Sequence, residues 1–252
     1  MILAALGFAL FGAGPTLRMR TFLVALACVA VIGCAAQVRT PQPAGAQAPP
    51  DFPAQFYREA LSRGQPVYRV DPNASLLVVE VYRAGSLARL GHDHVVASHD
   101  VHGLVAPEAG RSDLYVALDR LVVDEPALRS EAKFDSQPSE DDIAGTRHNM
   151  LNALQAEQYP FALISVTEAN ARSGPVSLKV GITLRGTTRQ VEIPARIDRS
   201  ADSIVVAGAL ALDQTDFGIK PLSILGGAVQ VRDRIDLRFT IRAARIGRAE
   251  DA

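Results

Sequence analysis

Apolar and polar residues alternate strictly along 176–184: Val176, Leu178, Val180, Ile182 and Leu184 interleave with Ser177, Lys179, Gly181 and Thr183. A period of two places every second side chain on one face of a strand, a pattern no helix can use. After Gly186-Thr187-Thr188 the alternation resumes in Val191, Ile193, Ala195 and Ile197, so the chain is expected to fold back as a hairpin. Pro194 cannot donate to a ladder and needs an edge, a bulge or a non-bonded site. The same period appears in Leu77, Val79 and Val81, in Leu114, Val116 and Leu118, and in the small-residue stretch 203–213. It is longest over 229–242, where Val229, Val231, Ile235, Leu237, Phe239 and Ile241 share a parity broken only by Asp233. Residues 161–166 are apolar on both parities, which predicts a strand buried on both faces.

Between these strands, 124–142 is acidic and contains prolines, predicting a long surface excursion. Helix formers over 152–158 predict a short helix that Tyr159-Pro160 ends, because a pre-proline residue is pushed out of the α region. Many strands joined by Gly, Pro and Asp turns predict an antiparallel barrel or sandwich.

The first 33 residues change the picture of where this domain works. Arg18 and Arg20 precede an apolar run over 21–32, and Val31-Ile32-Gly33-Cys34 has the form of a lipoprotein cleavage box. The reading is a signal peptide over 1–33, with translation starting at Met19, and a lipidated Cys34 as first residue of the mature chain. A spanning helix would need about 20 apolar residues, more than this run supplies. Residues 34–65 read as a tether rich in Pro, Ala and Gln with a short helix near its end, 66–244 as the folded domain and 245–252 as a polar tail. Ala35 is not the aspartate that often retains lipoproteins at the inner membrane, which points to the periplasmic face of the outer membrane. Net charge is −1 over 252 residues, so no basic excess suggests nucleic acid.

Several blocks resemble the YceI-like family of periplasmic lipid-binding proteins. Ile182-Thr183-Leu184-Arg185-Gly186-Thr187-Thr188, with Val191, Ile193 and Pro194, is similar to the family signature. So are Tyr68-Arg69-Val70-Asp71-Pro72, the block Arg147, Leu151, Tyr159, Pro160, Ala162 and Ile164, and Asp216-Phe217-Gly218-Ile219. The resemblance implies an all-β, lipocalin-like antiparallel barrel with a short helix in a long connection. It also implies a tunnel that holds an isoprenoid chain such as a polyprenyl or quinone tail. The residues expected to line it are Val79, Val81, Ile164, Val180, Ile182, Leu184, Phe217, Leu237 and Phe239.

The candidate chemistry outside the tunnel is a histidine cluster. His92, His94, His99 and His102 fall within eleven residues, and in an extended chain His92 and His94 share a face about 6.6 Å apart. That spacing would let both imidazoles reach one zinc ion, with His148 the remaining histidine for a third ligand. The reading taken is a set of hydrogen-bonded polar groups at a barrel mouth, with the zinc site as its alternative. The metal reading would make the chain a metal carrier or a metal-dependent hydrolase. Asp216-Phe217-Gly218 also occurs in protein kinases, but no phosphate loop or catalytic loop accompanies it, and no nucleophile motif is present. The expectation is a binding protein, not an enzyme.

Overall fold

The computed structural model describes residues 47–167 and 173–247. The predicted strand parity builds a closed antiparallel barrel of eight staves. The first stave is a bent strand made of β1 (Tyr68–Val70) and β2 (Leu76–Val81), prolonged past a kink by β3 (Arg83–Ala84). The second is β4 (His94–Ser98) continued by β5 (Val101–Ala106), and the third is β6 (Arg111–Ala117). A short β7 (Val122–Val123) pairs with β4 and opens the long connection. The remaining staves are β8 (Phe161–Thr167), β9 (Gly174–Leu184), β10 (Thr187–Arg199), β11 (Ser203–Asp213) and β14 (Arg234–Arg245). β14 closes the circle by pairing with both β2 and β1.

Register confirms which parity faces inward. Val79 lies opposite Val96 and Leu237, Leu237 opposite Leu210, Ile164 opposite Ile182, and Val180 opposite Val166 and Val191. All of these pack in one apolar cluster. The β9–β10 hairpin turns on Arg185 and Gly186 alone, both with positive φ (50° and 70°), as the twist of a two-residue hairpin requires. A Cβ on Gly186 would stand 2.9 Å from the Tyr159 ring, so the position also needs the missing side chain.

Pro194 is accommodated where the ladder allows it. The β10–β11 pairing begins at Ala195, one residue past the proline, so its missing N–H is not needed. Above that point β10 and β11 part, and the turn after β11 fills the gap. There Arg189 Nε donates to the Asp216 carbonyl at 2.7 Å, Arg185 donates to the Gly218 carbonyl, and Phe217 and Ile219 are buried in the core.

Four expectations are corrected. The stretch 229–242 is not one strand: it breaks at Arg232-Asp233 into β13 (Val229–Val231) and β14. Asp233 turns to bind the Thr215 amide (2.9 Å) and hydroxyl (2.6 Å). β13 joins β12 (Ser223–Ile224) and β3 in a separate three-stranded sheet. β8 is covered on one face only, since Leu163 on its outer face is exposed. The helix of the long connection is 15 residues, α3 (Glu140–Leu154), started by a capping box in which Ser139 and Asp142 each satisfy the other's backbone amide; α2 (Pro126–Glu131) precedes it. Finally, α1 (Ala54–Ser62) is docked outside β5 with Tyr57 and Ala60 fully buried, so packed structure begins upstream of Pro66. Tyr57 donates to Asp113 at 2.6 Å, and burial together with that carboxylate pushes its hydroxyl pKa up. The expected signal peptide, Cys34 and most of the tether lie outside the described residues, as does the tail beyond Gly247.

Candidate ligand tunnel and its polar mouth

The barrel's inner wall is apolar along its length, and its packing tightens toward one end. At the foot Tyr68, Val70, Ile197, Ile204 and Ala243 are each no more than 2% exposed and seal the bore. Toward the other end Leu77, Val79, Val81, Leu210, Leu237 and Phe239 share the inward parity yet remain partly accessible. Gly208 contributes to this: a Cβ there would meet the Phe239 ring at 2.8 Å, so its absence lets the ring lie against β11. The nine residues expected to line the tunnel accordingly divide. Val180, Ile182 and Phe217 are buried in the wall, whereas Val79, Ile164, Leu184, Leu237 and Phe239 pack around them with part of their surface open. Val81 shares their parity through its pairing with His94.

Helix α3 covers the mouth because Ile143, Met150, Leu151 and Leu154 bring its apolar positions onto the core. Arg147 ties it to the Asp119 carbonyl. A buried polar cluster lies beneath it. His94, on the inward parity of β4, has Nδ1 2.6 Å from Asp124 Oδ2, and since a carboxylate only accepts, Nδ1 carries the proton. Its Nε2 lies 3.3 Å from the Thr146 hydroxyl of α3, within hydrogen-bond distance. Asp124 also accepts from the Val95 amide (3.0 Å) and from Arg129, whose guanidinium reaches the Asp93 carbonyl at 2.6 Å. Both Asp124 and Arg129 side chains are essentially out of solvent. Burial pushes the Asp124 carboxyl up, but the His94, Val95 and Arg129 hydrogen bonds outweigh it and hold it below its ordinary range. Asp142 is held low by the Ser139 hydroxyl and amide.

In this geometry hydrogen bonds engage His94, and the alternative zinc site is not assembled among the described residues. The His92 and His94 rings are 6.1 Å apart, but His94 spends one nitrogen on Asp124 and the other on Thr146. His92 stands 3.8 Å from Asp142. His148 does not join them; it is on the exposed side of α3, bonded to Asn152. Among the described residues no three His, Cys, Asp or Glu side chains are placed to hold a metal ion. His99 and His102 likewise pair with carboxylates, Glu125 and Asp100. Sequence reading missed Asp124, Arg129 and Thr146, since nothing in the charge pattern separates the buried pair from the solvated acids around it.

The architecture is a closed eight-stranded antiparallel barrel with an apolar interior, tightly packed at its foot and covered by a helix at the other end. A family model described as the YceI-like domain matches residues 68–243, and the chain belongs to that family. Among solved structures it is similar to a polyisoprenoid binding domain from Saccharophagus degradans implicated in plant cell wall breakdown. That match has 15% identity and a TM-score of 0.51, and covers 70% of this chain and 97% of the other. Further similar structures are Burkholderia cenocepacia BcnA (11% identity, 69% and 98% coverage, TM-score 0.43) and the Campylobacter jejuni YCEI protein (12%, 59% and 82%, 0.37). No curated protein matches.

Proposed function

We propose that this protein binds an isoprenoid-type lipid, a polyprenyl or quinone tail, in the bore of its barrel and does so as a periplasmic lipoprotein anchored through Cys34. The observation that carries the binding reading is the inner wall: an apolar surface running from the tightly packed foot to the end that α3 covers, with the buried Asp124–Arg129 pair set to one side. Such a wall holds a ligand by area alone, at about 0.8 kcal/mol per buried methylene, so several isoprene units bind without a charged clamp. Membership of the YceI-like family and the barrel shared with a polyisoprenoid binding domain support the same ligand class. The lipoprotein reading rests on the cleavage box at Cys34 and its basic and apolar flanks. The test is native mass spectrometry of the full chain purified from its host membrane fraction. A stoichiometric adduct whose mass and fragments are those of a prenyl chain is expected; an adduct-free barrel that takes up no prenyl lipid on incubation would contradict the reading.

A further inference from the structure

Beside the mouth, where β2 ends and β14 begins, the three-stranded sheet β12-β13-β3 and the turn 85–91 form a lobe outside the barrel. Ile224 pairs with Val229, β13 pairs with β3, the Leu87 amide donates to the Ala228 carbonyl at 2.7 Å, and a Cβ on Gly91 would touch Val229. The lobe is therefore one piece. It carries four of the six most exposed large apolar side chains among the described residues: Leu90 (62%), Leu222, Ile224 and Leu225 (68%). Leu225 has φ 50°, a left-handed conformation that a leucine adopts only against a steric penalty. The chain thus holds a bulky apolar side chain at a loop tip, in water, with an unfavourable backbone.

Exposed Arg89, Lys220, Arg232 and Arg234 flank these residues, and none of the four makes an ion pair among the described residues. The one carboxylate between 220 and 234, Asp233, is engaged by Thr215. The lobe's apolar tip contains no aromatic residue, whereas protein–protein hot spots favour Trp, Tyr and Arg and are poor in Leu. Arg232 lies over the Tyr82 ring and Arg234 stands opposite Asp213, which leaves exposed Arg89 and Lys220 beside Leu90 and Leu222; aliphatic side chains with exposed cations next to them match the acyl chains and headgroups of an anionic bilayer.

We propose that this lobe docks on the surface of an anionic lipid bilayer, inserting Leu90, Ile224 and Leu225 among the headgroups and turning the barrel mouth toward the membrane. The docking is independent of what fills the bore and needs no contribution from Cys34. Because the chain has no tryptophan, a single one reports its own position. Leu225→Trp at the lobe tip and Ala201→Trp in the exposed turn at the sealed foot are placed separately in the full chain and mixed with vesicles of phosphatidylcholine containing phosphatidylglycerol and brominated acyl chains. The expected result is a blue-shifted, quenched emission for Leu225→Trp and an unquenched one for Ala201→Trp. Adding Arg89→Glu and Lys220→Glu should weaken quenching at least tenfold in vesicle concentration. Equal quenching of both reporters, which would mean attachment through another part of the chain, would overturn the proposal. So would no quenching at Leu225→Trp, or a blue shift that grows with protein concentration in the absence of vesicles, which would mean that the lobe covers a second copy.

Discussion

Asp124 adopts a positive φ (59°) and hides its whole side chain, yet carries a charge held by His94, the Val95 amide and Arg129. A buried pair gives little net stability over a hydrophobic substitute, but removing one partner strands the other's charge. Asp124→Asn leaves Arg129 unmatched and should lower stability by about 3–5 kcal/mol at pH 7, read by urea unfolding. The pH dependence follows from the lowered folded pKa. The stability that Asp124 contributes is present above the unfolded carboxylate value, about 3.9, and is lost as pH falls through the lower folded value. The parent protein should therefore lose stability more steeply below about pH 4 than Asp124→Asn does. Equal slopes for the two proteins would show that Asp124 is not the carboxylate in question.

At the scale of elements, α3 depends on its first turn. Ser139 caps the Asp142 amide and Asp142 reaches back to the Ser139 amide and hydroxyl. Ser139→Ala should cost about 1 kcal/mol of stability, and because α3 covers the mouth, prenyl lipid should exchange faster. Stopped-flow transfer of a fluorescent prenyl probe to acceptor vesicles measures this; an unchanged rate would mean that α3 does not gate the mouth. The helix start was readable in principle, since Ser139 stands three residues before an acidic partner, but the acids of 124–142 masked it by looking like a solvated run. Strand parity was the legible part: the alternation over 176–197 is the observed β9–β10 hairpin, with the same residues inward. The 229–242 pattern hid its break because Val229 and Val231 keep an apolar period while joining a different sheet, and only Asp233 betrays the kink. Phe161 and Leu163 made β8 look buried on both faces, whereas Phe161 instead packs edge-on against Tyr115 outside the barrel.

At the scale of the whole molecule, strand pattern alone left barrel and sandwich open and the family resemblance supplied the barrel, whereas the meeting of His94, Asp124 and Thr146 was not legible, because it depends on contacts between residues far apart in sequence. Localisation is a separate prediction. Cys34→Ser should move the protein from the membrane to the soluble periplasmic fraction, with the lobe's bilayer contact too weak to retain it through washing; unchanged firm attachment would rule out acylation at Cys34. The central claim, that the bore is the lipid site, is tested most directly by two adjacent positions on β9. Ile182 faces inward and is 8% exposed, while Thr183 faces outward and shares a 2.8 Å hydroxyl contact with Thr188. Ile182→Glu puts a carboxylate on the apolar wall without a partner, whereas Thr183→Glu leaves it in water. The measurement is the amount of prenyl lipid retained per folded barrel for each variant. The account predicts loss in Ile182→Glu and near-parental retention in Thr183→Glu; full retention in a folded Ile182→Glu protein, or equal loss in both, would contradict it.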